Sequence, residues 1–351
     1  MKSTHRKRII ALDVIRVLAI TSVLICHACE QAFPQNGGSA PMAILHSLGR
    51  QGVPFFLFLS GALLLNKNYT TNEDILAFYK KSLLPLLLTV EAWIAIYSCF
   101  LWLTGQDFNT FDYIKCALFI NNIPMMHWWY IPTILMIYIA MPFISRALNS
   151  ISLKASFVPL ATTIFLGFVL PTINGFTYLL IGKELHLTFD IAPLGGIYVC
   201  YVVLGHYFIN KRILSSMSIA RLITLFLIGA AGSSAQEYLG LGIWYSSLFV
   251  LLTSAAITEI ILRFSSRQYI NEKLQAKSKQ IELLSRISFA IYFIHVPALY
   301  FIQKLSSALT SPWTNFAISF LGMMLISCAI SITLHRLLQR APKIRNLLLN
   351  S

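Results

Sequence analysis

Apolar residues occur in long runs from one end of the chain to the other, and short polar or basic segments separate the runs. A bilayer core needs roughly 20 apolar residues per helix, which is the length of most of these runs. They predict transmembrane helices at about 9–31, 52–66, 83–104, 128–148, 155–173, 191–209, 219–236, 242–262, 286–306 and 314–338. The second run is short, so we expect it to begin near Met42 and to be interrupted around Gly52 and Pro54.

Composition agrees with a chain whose main solvent is lipid. Of 351 residues, 57% are hydrophobic and only 11% are charged, against about 25% charged in an average soluble domain. The fold class expected is therefore an all-α polytopic membrane protein, a bundle of about ten helices forming one domain over residues 1–351. In a membrane protein, the basic residues behind the net charge of +14 are expected to set the orientation of the loops, and we expect no nucleic-acid partner. The six cysteines lack metal-ligand spacing, so we expect no metal.

Lysine and arginine alternate strongly between the two sides of the predicted bundle. One side carries 22 of them, including both termini, and the other side carries four. Basic loops stay in the cytoplasm, so we expect a bacterial inner-membrane protein with both termini cytoplasmic. The longest cytoplasmic segment, 264–285, has the pattern of a polar basic helix on the membrane surface.

The first span carries four ionisable residues, Asp13, Arg16, His27 and Glu30. Each costs at least about 2.5 kcal/mol inside a bilayer, so each is a functional candidate. Arg16 and His27 are eleven positions apart in the sequence, which places them on one helical face about 16 Å apart. Spacings of three let Asp13 contact Arg16 and let His27 contact Glu30. The alternatives are a neutralising Asp13–Arg16 ion pair and a histidine that is merely buried and hydrogen-bonded.

Four stretches together resemble the membrane acyltransferase-3 family. RIIALDVIRVLAITSVLICHACE, with ten residues between Arg16 and His27, resembles the family's first helix. GRQGVPFFLFLSGALLL (49–65) resembles the second helix, HWWYIPTILMIYIAMPFI (127–144) the His/Trp/Tyr segment, and SFAIYFIHVPAL (288–299) the late Ser–Tyr–His helix. The resemblance covers essentially the whole chain. Within that family, the chain resembles the stand-alone O-acetyltransferases of surface polysaccharides, including that of enterobacterial common antigen.

This resemblance implies transfer of an acetyl group from cytoplasmic acetyl-CoA to a hydroxyl of a lipid-linked or exported cell-surface glycan. The partners implied are membrane lipid, acyl-CoA and a glycan or lipid-linked saccharide. His27 would act as general base or as acyl carrier, and Glu30 would orient its imidazole. Arg16 or Arg50 would stabilise the oxyanion.

Donor binding is expected near the cytoplasmic face, where basic residues attract the polyanionic coenzyme. The candidates are Asp13, Arg16, Lys80 and Lys81. Many relatives carry paired arginines where this chain has the two lysines. Lysine attracts phosphate as a point charge but lacks the bidentate fork of arginine.

Six further residues are candidates for lining the cavity or binding the acceptor: Arg50, Ser60, His127, Trp129, Tyr292 and His295. An interfacial aromatic belt is the alternative for His127 and Trp129. Helix packing is the alternative for Ser60, Tyr292 and His295.

Two other functions remain compatible with the residue pattern. Intramembrane Arg, His and Glu also mark transport paths, so a transporter or flippase of a polysaccharide or lipid-linked sugar is the main alternative. A non-catalytic assembly subunit is the second. A transferase releases free CoA when given acceptor, whereas a transporter is insensitive to thioester donors.

The distribution of basic residues generates a topology prediction. A reporter fused after Gln280 should report a cytoplasmic position, and a reporter placed within 105–126 should report the opposite side, because the basic residues accumulate beside the former. Paired alkaline phosphatase and fluorescent-protein fusions measure this. A periplasmic signal after Gln280 would contradict the ten-span arrangement.

Overall fold

A computed structural model describes residues 9–33, 39–183, 190–192, 195–306 and 311–349. The basic residues of the first eight positions lie outside the described part. The described residues fold into helices without a β-strand. The helices are α1 (Ile10–Ala32), α2 (Ala40–Gly49), α3 (Gly52–Leu64), α4 (Asn72–Phe78), α5 (Leu84–Leu103), α6 (Thr110–Ala117), α7 (Tyr130–Ser150), α8 (Leu153–Ile164), α9 (Leu170–Ile181), α10 (Gly196–Gly205), α11 (Ile219–Tyr238), α12 (Leu248–Ser266), α13 (Gln268–Ala276), α14 (Ser278–Ser306), α15 (Pro312–Leu337) and α16 (Pro342–Leu349).

Most of the helical length is suited to crossing a membrane. Among the described residues, nine helical stretches are long and apolar enough to span a bilayer. The predicted span at 191–209 corresponds to a shorter apolar helix, Gly196–Asn210. The predicted class, an all-α polytopic membrane protein, is confirmed. A count of ten spans requires the shorter helix as well.

Three π-helical turns occur in the described residues, at Tyr79–Leu83, Phe165–Val169 and His206–Asn210. The first joins α4 to α5 and the second joins α8 to α9. Pro85 and Pro171 are the second residues after these two turns. A proline lacks the N–H that would bond the carbonyl four residues earlier, and in both cases that carbonyl belongs to the widened turn.

The second predicted span is interrupted, as its sequence predicts. Helix α2 ends at Gly49 and helix α3 begins at Gly52. A Cβ on Gly49 would lie 2.7 Å from the backbone nitrogen of Cys26, and one on Gly52 would lie 2.8 Å from the carbonyl oxygen of Ala19. The two glycines therefore let the break lie directly against α1, which brings Arg50 close to the end of α1 that carries His27.

The chain forms two compact units built from discontinuous segments. The first unit comprises Met1–Leu63, Phe157–Ser288 and Leu309–Phe320. The second unit comprises Leu64–Ser156, Phe289–Ala308 and Leu321–Ser351. In the first unit α1 packs on α2 and α12, and α11 packs on α2 and α12. In the second unit α16 packs on α5.

A fully buried glutamate anchors the segment between α10 and α11. Glu259 on α12 accepts hydrogen bonds from Arg212 at 2.9 Å and from Arg263 at 2.7 Å. Arg263 also donates to the backbone oxygen of Leu214 at 2.7 Å. The predicted polar helix of 264–285 is present as α13, while the rest of that segment belongs to the ends of α12 and α14.

Helices α3 and α10 touch through their backbones. A Cβ added to Gly61 would overlap the carbonyl oxygen of Val202, and a Cβ added to Gly205 would overlap the backbone of Phe58. Small residues at such contacts let membrane helices approach closely, because side chains would otherwise separate them.

This contact predicts that Gly61→Ala destabilises the protein. Overpacking of this kind costs about 1–3 kcal/mol, which exceeds the gain in helix propensity of about 1 kcal/mol. Gly175→Ala is the matched control, because its nearest neighbour lies 3.6 Å from the new Cβ. Thermal unfolding of the purified protein in detergent compares the two. Equal midpoints for both variants would contradict the close contact.

Candidate active site

Helix α1 supplies a histidine–carboxylate pair to the first unit. His27 Nδ1 lies 2.7 Å from Glu30 Oε2, so the contact predicted from their spacing is present. The side chains are 12% and 22% exposed. A carboxylate can only accept a hydrogen bond, so Nδ1 is the donor. The lone pair of the neutral imidazole then lies on Nε2, as a general base requires.

Arg50 reaches the same carboxylate from the break in the second span. Its Nη2 lies 2.9 Å from Glu30 Oε1, and its guanidinium carbon lies 5.8 Å from the ring centroid of Tyr245. Tyr245 lies between α11 and α12. Burial raises the pKa of its phenol while the Arg50 guanidinium opposes this shift, so Tyr245 remains a neutral phenol at neutral pH.

Two residues of this cluster were missed by the sequence analysis. His46 on α2 places Nδ1 2.5 Å from Glu237 Oε1 on α11, and its Nε2 lies 3.7 Å from Glu30 Oε1. The spacing of four between His46 and Arg50 was a usable signal, because it places both on one helical face. Glu237 lies one residue beyond the predicted end of a span at 236.

The cluster is a continuous chain of ionisable groups, His27–Glu30–His46–Glu237, with Arg50 attached to Glu30. Removing an ion from water costs several kcal/mol, so buried charges need close partners. The two carboxylates find them in one guanidinium and two imidazoles. Glu30 Oε1 and His46 Nε2 also lie within 4.8 Å of Cys26 Sγ, and this set of donor atoms could hold a metal ion.

The other end of α1 is tied to α14. Ser285 Oγ donates to Asp13 Oδ1 at 2.6 Å, and Asp13 is buried. Arg16 is half-buried on the same helix. Ser285, which the sequence analysis did not single out, is therefore one partner of Asp13.

The remaining donor candidates belong to the second unit. Lys80 and Lys81 are exposed on the π-helical turn Tyr79–Leu83 of the second unit, whereas Arg16 belongs to the first. The structure does not bring these three residues together within one unit.

Ser60 donates to the carbonyl oxygen of Phe56 at 3.0 Å, within its own helix. It directly precedes Gly61, where α3 contacts α10, and this position fits the alternative of helix packing. A cavity-lining role for Ser60 stays a prediction.

The other aromatic and histidine candidates gather in the second unit. His127 is 2% exposed, with Nε2 3.1 Å from the Tyr97 hydroxyl, so it is buried rather than part of an interfacial belt. The Tyr292 hydroxyl donates to the carbonyl oxygen of His127, and His295 Nδ1 lies 2.6 Å from the carbonyl oxygen of Tyr292. Trp129 is half-buried, and its ring centroid lies 5.9 Å from that of Tyr130. An acceptor-binding role for these residues remains a prediction.

The comparison with protein families identifies the family of the chain. The family model described as Acyltransferase domain, that of the membrane acyltransferase-3 family, matches residues 9–332. The match covers most of the chain and includes both units' principal helices. The chain therefore belongs to the membrane acyltransferase-3 family, a family of membrane acyltransferases. The curated proteins and the solved structures compared with this chain gave no significant match.

The shared carboxylate generates a prediction of energetic coupling. In a double-mutant cycle, Glu30→Gln and Arg50→Gln should show a coupling free energy of about 0.5–3 kcal/mol, because each single change leaves a charge without its partner. The exposed pair Glu282–Arg286, at 2.6 Å, is the control and should give less than about 0.5 kcal/mol. Free energies of unfolding in mixed micelles measure both. Additive effects at Glu30 and Arg50 would refute the coupling.

Proposed function

We propose that this acyltransferase moves an acetyl group from cytoplasmic acetyl-CoA to a hydroxyl of a lipid-linked or exported cell-surface glycan. It would do so in a bacterial inner membrane, with both termini cytoplasmic. The observation that carries the proposal is the His27–Glu30 pair at 2.7 Å, in a chain that matches the acyltransferase-3 family over 9–332. The sequence resemblance to surface-polysaccharide O-acetyltransferases supports the choice of acetyl group and glycan.

His27 fits the role of general base. Its Nε2 takes the proton of the acceptor hydroxyl while the hydroxyl oxygen attacks the thioester carbonyl. The tetrahedral intermediate collapses, the carbon–sulfur bond breaks, and the CoA thiolate takes the proton back from the imidazolium. Glu30 stabilises the imidazolium between these two steps, because its carboxylate is hydrogen-bonded to Nδ1.

Arg50 is suited to stabilising the oxyanion. A guanidinium has five N–H donors, and Nη2 holds Glu30. Its Nε is buried, with no hydrogen-bond partner among the described residues. One side chain can therefore position the Glu30 carboxylate and still donate to a developing negative charge.

The donor side of the proposal depends on charge. Arg16 lies on α1 eleven residues before His27, and Lys80 and Lys81 carry exposed ammonium groups. These cations suit the negatively charged phosphates of the coenzyme. In the predicted topology, both the cations and the coenzyme are on the cytoplasmic side. The contact of Asp13 with Ser285 fixes the start of α1 near Arg16.

Two alternatives are separable by experiment. His27 could carry the acyl group itself, in which case radioactive label from acyl-CoA would accumulate on the enzyme without acceptor, whereas a pure base would stay unlabelled. A transporter of lipid-linked sugar would not consume acyl-CoA at all. The family match favours transfer over transport.

The decisive variant is His27→Ala. We expect acetylation to fall by about 10²- to 10⁴-fold, because the general base is lost. Thr21→Ala is the control on the same helix, since the Thr21 hydroxyl bonds only locally, to the carbonyl oxygen of Val17 at 2.9 Å. Free CoA release from membranes and mass analysis of surface glycan measure the activity.

Expression must be matched between the variants, so that a difference in the amount of protein is not mistaken for a difference in activity. Wild-type glycan acetylation by His27→Ala would remove the catalytic assignment. Glycan acetylation that is unaffected by deletion of the whole gene would remove the proposed acceptor instead.

A further inference from the structure

Three side chains of the cluster offer the donor atoms of a transition-metal site. Cys26 Sγ, Glu30 Oε1 and His46 Nε2 all lie within 4.8 Å of one another. Cys26 and Glu30 are one turn apart on α1, and His46 reaches them from α2. Cys26 and His46 are both only 4% exposed. We propose that these three residues bind one Zn²⁺ ion. The linear spacing of the cysteines, from which no metal was expected, does not show this arrangement, because only one ligand is a cysteine.

The distances between the donor atoms suit a tetrahedral ion. Zn–S bonds of about 2.3 Å and Zn–N or Zn–O bonds of about 2.0 Å place adjacent donor atoms about 3.3–3.5 Å apart. Cys26 Sγ lies 3.6 Å from Glu30 Oε1, and His46 Nε2 lies 3.7 Å from the same oxygen. Cys26 Sγ and His46 Nε2 lie within 4.8 Å of each other, so an ion that draws these two side chains together would complete the geometry.

Glu237 orients the ring of His46 as a metal ligand needs. Glu237 Oε1 lies 2.5 Å from His46 Nδ1, so Nδ1 is the donor and a neutral ring keeps its lone pair on Nε2. This Nε2 is buried and makes no hydrogen bond to any described residue. At zinc sites, the ring nitrogen that does not bind the metal commonly donates to a carboxylate. That carboxylate fixes the orientation of the histidine ring and raises the basicity of the ligating nitrogen.

The surrounding charges also balance. Cys26 as thiolate, Glu30 and Glu237 contribute three negative charges, and Zn²⁺ with Arg50 contributes three positive charges. Arg50 Nη2 and His27 Nδ1 bond the two oxygens of Glu30, as expected for a carboxylate that ligates a metal. A neutral assembly is much cheaper to bury than separate ions.

The donor set selects the metal and its type of site. One thiolate, one imidazole and one carboxylate suit Zn²⁺, whereas Mg²⁺ and Ca²⁺ prefer oxygen ligands alone. Three protein ligands leave one tetrahedral position open, which is the pattern of catalytic rather than structural zinc. The site shares Glu30 with His27, so the open position belongs to the same cluster as the proposed base.

Metal content of the full-length chain tests the proposal. The protein is purified in detergent through an affinity tag without histidine, stripped with chelator and reloaded with Zn²⁺ or Co²⁺. We expect about one ion per chain by elemental analysis and, with Co²⁺, a thiolate-to-metal charge-transfer band. Cys26→Ser should abolish the band and His46→Gln should abolish high-affinity binding. Glu237→Gln should weaken binding by about 10- to 100-fold.

Cys200→Ser is the matched control, since Cys200 is equally buried at 4% in the same unit and should leave ion content and spectrum unchanged. Absence of bound ion in the reloaded wild type, or a band that survives Cys26→Ser, would overturn the proposal. The wild-type spectrum decides even if a variant fails to fold. These metal-binding measurements contain no acyl donor. A failure of the zinc proposal therefore leaves the proposed acyl transfer standing, and a failure of the proposed acyl transfer leaves the zinc proposal standing.

Discussion

The carboxylate of Glu30 is the interaction on which the described site depends. It lies inside a membrane-spanning helix, where an unpaired charge is strongly unfavourable, and it accepts from His27 on one oxygen and from Arg50 on the other. His46 approaches the second oxygen and is itself held by Glu237. Helix α1 and the end of α2 with the break after it are therefore fixed by one acidic group, because each supplies part of its neutralisation. Helix α11 is joined to them through the contact of Glu237 with His46.

The interrupted second span makes that neutralisation possible. Arg50 directly follows α2 at this break. Gly49 and Gly52 allow the backbone on either side of it to approach α1 within distances that a Cβ would not permit. Gln51, also at the break, accepts a hydrogen bond of 2.5 Å from the hydroxyl of Ser254, which lies on α12. The break is therefore stabilised by polar contacts, as required of non-helical backbone at membrane depth.

Hydropathy and local spacing predicted much of the fold and a smaller part of the site. Apolar runs located the spans because their length is set by bilayer thickness, and the His27–Glu30 contact followed from residues on one helix. His46 and Glu237 are 191 positions apart in the sequence, and periodicity within either helix says nothing about which helices meet. The same limit applies to Lys80 and Lys81, whose charge suggested a donor site but whose position in the second unit required the structure.

The π-helical turns affect how the long spans present their side chains. Each such turn contains about one residue more than an α-helical turn, so it rotates the following residues by roughly 100° relative to a regular helix. A helical wheel drawn across Tyr79–Leu83 or Phe165–Val169 consequently misplaces every residue on one side of the turn. In evolutionary terms, a single-residue insertion can be absorbed there without a loop. It re-aims an entire half-helix while keeping the span long enough for the bilayer.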